Sequence, residues 1–484
     1  MSQFLKMELP EGRSFVKDCF SWKQNLHNFE RGESKFVPVR ALMPGLTLPF
    51  KMKFLKKGKI FETIVPEYEN TCKTKEYRWL AKIKVICGYR VLAQWLGSFK
   101  KFWINILSEN VYYLGEGMKK SGVHYIPPPS VYVIFQYGVK QYVKREVNSA
   151  KRKNQAIEEE HEKTKRVGTT CLFQPGMKLE LLNYYTSTNT HRATVMQTCG
   201  RRLQVQILPE DYPLILHPDL PFFRQVDDEF WVHDLSFFLL PTGFSALENY
   251  RNVLTKPYRK HCRNIAEAIT KNEKPDYDIM DSTFEKWIVP DFEDEDWDTV
   301  KVGQKLELLD PLSAKVNSLH VASVLSLCRK RGYIIVGIDG PNVKKESLPL
   351  PIDSEFIFPV GYAETYGLQL ETPEDYEGKF DWDTYLEKEK AKPLEVFYFK
   401  KDPVFHKKKL SMFQVGMKLE AASQVDRHFI GPATIKSIHG RILRIGFDGW
   451  GDEHDELYDI RNHDLLPIGW CEIHGYDLRH PPKE

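Results

Sequence analysis

The chain of 484 residues carries little net charge: 69 lysines and arginines stand against 66 aspartates and glutamates, a formal +3. So small an excess gives no global electrostatic reason to bind nucleic acid. The eight cysteines form no C-x-x-C pair and have no histidine at zinc-finger spacing, which excludes a zinc module of that kind. Cysteines scattered in this way are expected to act as small core residues in a reducing compartment. No apolar run approaches the roughly 18–20 residues of a membrane span, and the first residues hold no leader-like apolar block. Neither a nucleophile motif nor a Gly-rich phosphate loop is present, so no catalytic residue, cofactor or metal is expected. These absences together lead us to expect a soluble, intracellular, non-enzymatic protein without membrane contact.

Apolar and aromatic residues are plentiful. Hydrophobic residues make up 42% and aromatics 13%, too many for a disordered chain. The 29 glycines and 29 prolines favour many short elements joined by turns. The length fits three or four domains. Local basic clusters occur at Lys144-Arg145, Lys151-Arg152-Lys153, Lys163 with Lys165-Arg166, and Lys407-Lys408-Lys409. Such runs are most simply solvated surface; the sharper reading is a nuclear import signal or a weak nucleic-acid contact. Residues 144–168, with Glu158-Glu159-Glu160-His161-Glu162-Lys163, read as a solvent-exposed helix or loop.

Internal repetition carries the most information. Phe173-Gln174-Pro175-Gly176-Met177-Lys178-Leu179-Glu180 returns as Phe413-Gln414-Val415-Gly416-Met417-Lys418-Leu419-Glu420, and more loosely as Val302-Gly303-Gln304-Lys305-Leu306-Glu307. The Lys-Leu-Glu cores begin at 178, 305 and 418, so successive copies lie 127 and 113 residues apart. Each copy closes on a related segment: Leu240-Pro241-Thr242-Gly243-Phe244, Phe358-Pro359-Val360-Gly361-Tyr362 and Leu466-Pro467-Ile468-Gly469-Trp470. Tyr113-Leu114-Gly115-Glu116, followed by Pro127-Pro128-Pro129, is a decayed version that implies a first unit before residue 130.

Within a unit the pattern is all-β. Ala433–Ile438, a His439-Gly440 turn and Arg441–Phe447 read as a hairpin, followed by a second turn at Asp448-Gly449. Several such strands in about 70 residues make a small barrel. Ahead of the barrels lie irregular arms with sparse aromatics, such as Phe20-Ser21-Trp22 with Leu26 and Phe380-Asp381-Trp382 with Tyr385. So few apolar residues cannot fold alone, so each arm is expected to pack on a neighbouring barrel, locking the units into a compact array.

Gly416-Met417-Lys418-Leu419-Glu420-Ala421, Phe447-Asp448-Gly449-Trp450, Gly469-Trp470-Cys471-Glu472 and the segment from Gly475 to Pro481-Pro482 resemble the signature of the malignant brain tumour (MBT) repeat. The second and third units match moderately, the first in outline. Four tandem units resemble the Sfmbt-like, Polycomb-related group. The resemblance implies four Royal-family (Tudor-like) β-barrels, each with an extended or helical arm, at 15–129, 130–255 (charged arm about 144–168, long insertion), 256–375 and 376–484. It also implies a nuclear chromatin regulator that binds mono- or dimethyl-lysine on histone tails in transcriptional repression, alongside other repressor proteins.

The chemistry of such a site is plain. A methylated ammonium keeps its charge, loses donors and gains apolar surface, and ring faces attract it by ~0.5–2 kcal/mol per contact. A carboxylate adds a charge-assisted hydrogen bond while an N–H remains, favouring the lower methylation states. In the resembled family an acid stands three residues after the opening glutamate, and the rings are the first and fourth residues of Phe-Asp-Gly-Trp plus an aromatic four later. Carried onto the fourth unit, these positions are Ser423, Phe447, Trp450 and His454, with Asp426 as an acid elsewhere in the same loop. Serine at the acidic position predicts shallow discrimination among methylation states, with trimethyl-lysine tolerated. The third unit keeps Asp310 but has Ile338 and Pro341 at the ring positions, with Lys345 near the third. The second has Asn183, Ile207 and Glu210, and the first has Trp95 without a second ring in Leu96-Gly97-Ser98. The competing reading of Phe447 and Trp450 is ordinary barrel packing. The competing reading of the whole chain is a cage-defective docking scaffold in a repressor complex.

Overall fold

The structure is a computed structural model. It describes residues 20–22, 25–42, 56–68, 75–132, 138–153, 171–183, 189–208, 210, 230–284, 297–329, 332–341, 343, 347–394 and 403–479. These residues form four six-stranded, curled sheets. In the first, Lys101–Asn105, Arg90–Trp95, Glu76–Cys87, Ile60–Ile64 and Val111–Tyr112 lie side by side, and Val123–Tyr125 runs parallel to Glu76–Cys87. The second and third repeat this order around Thr190–Cys199 and Leu319–Cys328. In the fourth, Lys35–Phe36, Met417–Ala422, Ile430–His439, Ile442–Phe447 and Glu456–Asp459 follow one another, with Leu465–Leu466 also on Met417–Ala422. The expected fourth-unit hairpin is present, turning at Gly440 with φ 62°. The register shifts between Ile83 and Val85, Val324 and Ser326, and Ile435 and Ser437, an inserted residue that bends the long strand and curls the sheet.

One buried carboxylate joins opening to closing motif in every barrel. Glu420 accepts the N–H groups of Gly469 (2.6 Å) and Cys471 (2.8 Å). Glu307 accepts those of Gly361 and Ala363 (both 2.7 Å), and Glu180 those of Gly243 (2.9 Å) and Ser245 (3.2 Å). In the first barrel Glu62 accepts from Gly115 (2.5 Å) and Gly117 (3.0 Å). All four glutamates are fully buried. Burial raises the carboxyls of Glu180, Glu307 and Glu420, and the N–H donors oppose that rise. The two motifs therefore recur together because one satisfies the other's buried charge.

The arms complete these latches. Trp382 donates its indole N–H to Glu307 at 2.9 Å, and Trp22 donates to Glu420 at 2.9 Å. Three of the opening strands also gain a parallel neighbour from an arm: Lys178 bridges Asp281, Lys305 bridges Pro393, and Met417 pairs with Lys35. Each arm thus packs on the barrel before it, and the first arm packs on the start and close of the last. The helix Val139–Lys153 covers part of the stretch read as exposed and charged. Lys140, Lys144 and Arg145 are exposed, but Val143 and Val147 are buried and Tyr142 stacks on Trp79 at 6.1 Å. Residues 154–168 lie outside the described residues.

The described residues form two compact units, one drawn from 1–170, 416–420 and 465–480, the other from 171–415 and 421–464. In the first, Tyr89 donates its N–H to Ile468 O at 2.8 Å and Arg90 pairs with Glu472 at 2.7 Å. Gly88, at φ 58°, permits this approach, since a Cβ would lie 2.4 Å from Ile468 O. In the second, Arg441 lies over the Phe358 ring at 4.1 Å and Tyr362 donates to His439 O at 2.8 Å. Cys87, Cys199, Cys262, Cys328 and Cys471 are buried and Cys171 half-buried, none of them in a disulfide, and Cys19 and Cys72 lie outside the described residues. Among the described residues no helix is long and apolar enough to cross a membrane.

Candidate functional site: a ring cluster on the fourth barrel

The strand Ile442–Phe447 ends at Phe447, paired across the hairpin with Ala433. The same pairing recurs as Ala81 with Trp95 and Ala322 with Ile338, so an alanine faces the first ring position in three barrels. Asp448 accepts from Thr434 Oγ1 at 2.5 Å, as Asp339 accepts from Ser323 Oγ at 2.5 Å. The Asp of Phe-Asp-Gly-Trp therefore ties the turn to the long strand. Gly449, at φ 82°, completes that turn, and Trp450 N–H returns to Phe447 O at 3.0 Å.

Four rings meet there. Trp450 and His454 stand edge to face, centroids 5.0 Å apart and planes at 77°. Phe429 stands edge to face with both Phe447 (5.3 Å, 79°) and Trp450 (5.7 Å, 83°). Phe447 is buried, Phe429 and Trp450 are half-buried and His454 is exposed, so the cluster opens at the surface. Edge-to-face rings present both faces and edges, the geometry from which a cation-binding wall is made. Phe429 was missed in the sequence because it follows the opening loop, far from Phe-Asp-Gly-Trp. Its one local signal is Gly431, whose absent Cβ would lie 2.8 Å from the Phe429 ring.

Ser423 and Asp426 take other partners. Ser423 is buried; its hydroxyl donates to Glu456 Oε1 at 2.5 Å and accepts the N–H groups of Val425 (3.1 Å) and Asp426 (2.9 Å). Its own N–H donates to Phe429 O at 3.0 Å, so it sets the loop that carries the fourth ring. Asp426 is exposed and lies 2.6 Å from His428 Nδ1. Arg427 anchors the loop, with its guanidinium over Phe238 at 4.5 Å and donating to Pro311 O at 2.9 Å. Glu456, another residue missed by sequence reasoning, also accepts from Gln424 N–H and Tyr458 Oη, both at 2.7 Å. Burial raises its carboxyl while these donors oppose the rise. His454 does not pair with Asp455, whose carboxylate bonds Arg444 at 2.8 Å; it stands 3.6 Å from Glu453 instead.

Among the described residues, the other barrels show no such cluster. Asp310 accepts the N–H of Leu312 at 3.0 Å, the turn expected of Asp before proline, with Ile338 and Pro341 at the ring positions. Asn183 is buried, its Nδ2 3.4 Å from His191 Nε2. Glu210 is exposed, while Lys345 and residues 211–229 lie outside the described residues.

The family pattern described as "mbt repeat" matches residues 177–260, 304–377 and 417–484. Protein lin-61 of Caenorhabditis elegans is 42% identical over the whole of this chain and 80% of its own length. Malignant brain tumor repeat protein 1 of the same organism is 33% identical over 96% of this chain and 87% of its own. Polycomb protein Sfmbt of Drosophila pseudoobscura pseudoobscura is 25% identical over 84% of this chain and 30% of its own. Among solved structures, the four MBT repeats of Drosophila melanogaster Sfmbt, in complex with a peptide written RHR(me)KVLR, superpose with a TM-score of 0.73. They are 22% identical and cover 96% of this chain and 99% of that one. With its paired opening and closing motifs latched in four barrels, the chain belongs to the malignant brain tumour repeat family.

Proposed function

We propose that this chain is a methyl-lysine reader that takes the modified side chain into the ring cluster of Phe447, Trp450, His454 and Phe429. The convergence of these four rings at an open surface carries the reading. A methylated ammonium exchanges a weakened hydration shell for ring faces, and the exposed side of the cluster admits one side chain. That the Sfmbt repeats are solved with a methyl-lysine peptide supports the ligand class. The role follows as histone-tail recognition in a nuclear repressor assembly, without catalysis, with the four units divided near residues 130, 256 and 376. One side chain buries little area, so affinity for a single peptide is modest and depends on multivalent contact. Ser423 and Asp426 act here as loop formers rather than ligand acids.

The test is calorimetric titration of methylated and unmodified histone-tail peptides. Trp450→Ala, half-buried and at a turn, is expected to abolish binding with circular dichroism unchanged. Retained binding would point to the scaffold reading, or to a ligand site elsewhere.

A further inference from the structure

The helix Lys256–Thr270 follows the second barrel, and the arm segment beyond it, residues 278–282, lies along the opening strand of that barrel. Lys178 donates its N–H to Met280 O at 2.7 Å, Ser282 N–H returns to Lys178 O at 2.7 Å, and Thr242 N–H donates to Ser282 O at 3.0 Å. Between helix and arm, His261 Nε2 stands 2.7 Å from Asp281 Oδ2 and 3.9 Å from Asp278 Oδ2. Each of the three side chains thus offers one ligand atom within 4.8 Å of the other two, and no second group of this kind occurs among the described residues. No linear motif announces it, since His261 and Asp281 are 20 residues apart.

Asp281 is the residue that calls for a cation. Its side chain is 1% exposed, yet among the described residues it forms no ion pair with a lysine or arginine. Its Oδ2 meets the His261 ring and accepts the Asp278 N–H at 2.9 Å, while Oδ1 is buried without a hydrogen-bond partner. Buried carboxylates are ordinarily paired or bound to a metal, and this one is only half satisfied. The way in is open, because the Asp278 side chain is 76% exposed. An imidazole with two carboxylates is a donor set for zinc and its first-row neighbours, whereas calcium and magnesium prefer oxygen alone. Zinc holds such nitrogen and oxygen at about 2.0–2.2 Å, so ligand atoms of a tetrahedral site stand about 3.3 Å apart. The separations of 2.7 and 3.9 Å fall on either side of that value, and a shift of about half an ångström in each closes the site.

We propose that His261, Asp278 and Asp281 bind one divalent cation of the zinc class, with water completing its shell, and that the bound metal fastens the arm segment to the helix Lys256–Thr270. The site is independent of the ring cluster on the fourth barrel. The experiment uses the full chain, stripped of metal by a chelator and then dialysed against Zn²⁺ with Mg²⁺ and Ca²⁺ in excess, and bound zinc is counted. Two variants accompany it: His261→Gln removes the ring, and Asp278→Asn changes an exposed side chain while leaving the backbone turn with Asp281 in place. The parent should hold one equivalent of zinc more than either variant. Zinc should also slow tryptic cleavage after the exposed Lys271, between helix and arm, several-fold in the parent and not in Asp278→Asn. No zinc on the parent, or the same zinc content in the parent and both variants, would overturn the site. Cleavage at an unchanged rate in the zinc-loaded parent would overturn the fastening.

Discussion

The hydroxyl of Ser423 and the carboxylate of Glu456 are 2.5 Å apart, buried together behind the loop that carries Phe429. At the position where the family places a ligand acid, this chain has a hydrogen-bond donor turned away to an internal carboxylate. The carboxylate of Glu456, at the start of the strand Glu456–Asp459, holds the loop through Ser423 and the N–H of Gln424.

That pairing reverses the effect expected of restoring the acid. Ser423→Asp would set two carboxylates side by side in a buried place, and like charges there cannot both ionise cheaply. We expect the variant to be destabilised by about 1–3 kcal/mol at neutral pH. The pair's folded pKa is raised, so the native state holds the extra proton at low pH. Stability is then recovered as pH falls and lost as it rises through that value. Denaturant unfolding at pH 5 and pH 8 checks this: an equal or larger deficit at pH 5 contradicts the shared proton.

Phe429 should contribute to binding as the other rings do. Phe429→Ala removes one wall, worth ~0.5–2 kcal/mol, so methyl-lysine peptides should bind about 2–30-fold more weakly. Gly431→Ala offers a milder probe, because its new methyl would push the ring aside without deleting it. With Ser423 and Asp426 both engaged by neighbours, mono-, di- and trimethyl peptides should differ by less than about tenfold. Titration of all three against the two variants decides the matter; undiminished affinity in Phe429→Ala would remove the ring from the site.

Much of this fold was legible because its constraints are local in sequence. The hairpin at Gly440, the turn at Gly449 and the three Lys-Leu-Glu openings each declare themselves within a few residues. The first barrel was harder to read because Ile60-Phe61-Glu62 keeps only the glutamate, and only the bonds from Gly115 and Gly117 identify it as the same latch. The ring positions followed from Phe-Asp-Gly-Trp. Phe429 and Glu456 did not, because each reaches its place by loop closure or cross-strand register, which no linear motif records.

The latch predicts a specific failure. Glu420→Gln keeps the shape but sets an amide where two N–H groups and the Trp22 indole all require an acceptor. One buried donor at least loses its partner, at about 1–3 kcal/mol. Because Trp22 belongs to the first arm, we expect its environment to loosen before the barrels unfold. Proteolysis should then cut near the arm in Glu420→Gln, and Trp22→Phe should show part of the same sensitivity. Wild-type resistance in Glu420→Gln would mean the arm is held by Lys35–Phe36 pairing alone.

The last prediction concerns acid. His233 is buried, and its Nδ1 accepts the N–H of Leu235 at 3.2 Å, which a protonated Nδ1 cannot do. Its ring stacks on His463 at 4.4 Å and 9°, and neighbouring Asp234 is paired with Arg201 at 2.7 Å. Burial, with His463, Arg201 and Arg202 nearby, holds the folded pKa of His233 well below its ordinary value; burial and nearby cations bring His463 down to about 3. In the unfolded chain a histidine titrates near 6.5. Between the two values the unfolded state binds the extra proton, so stability is present above about pH 6.5 and is lost as pH falls. For His233 alone the loss by pH 5 is about 2 kcal/mol relative to neutral. The buried glutamates of the latches shift in the opposite sense, so the wild-type profile by itself is a mixture. Comparison with His233→Asn removes them, since they are common to both chains, and asparagine keeps an acceptor for Leu235. The stability gap between wild type and His233→Asn should therefore shift by about 2 kcal/mol in the variant's favour from pH 7.5 to pH 5. A gap independent of pH would mean that His233 titrates alike in the folded and unfolded chains.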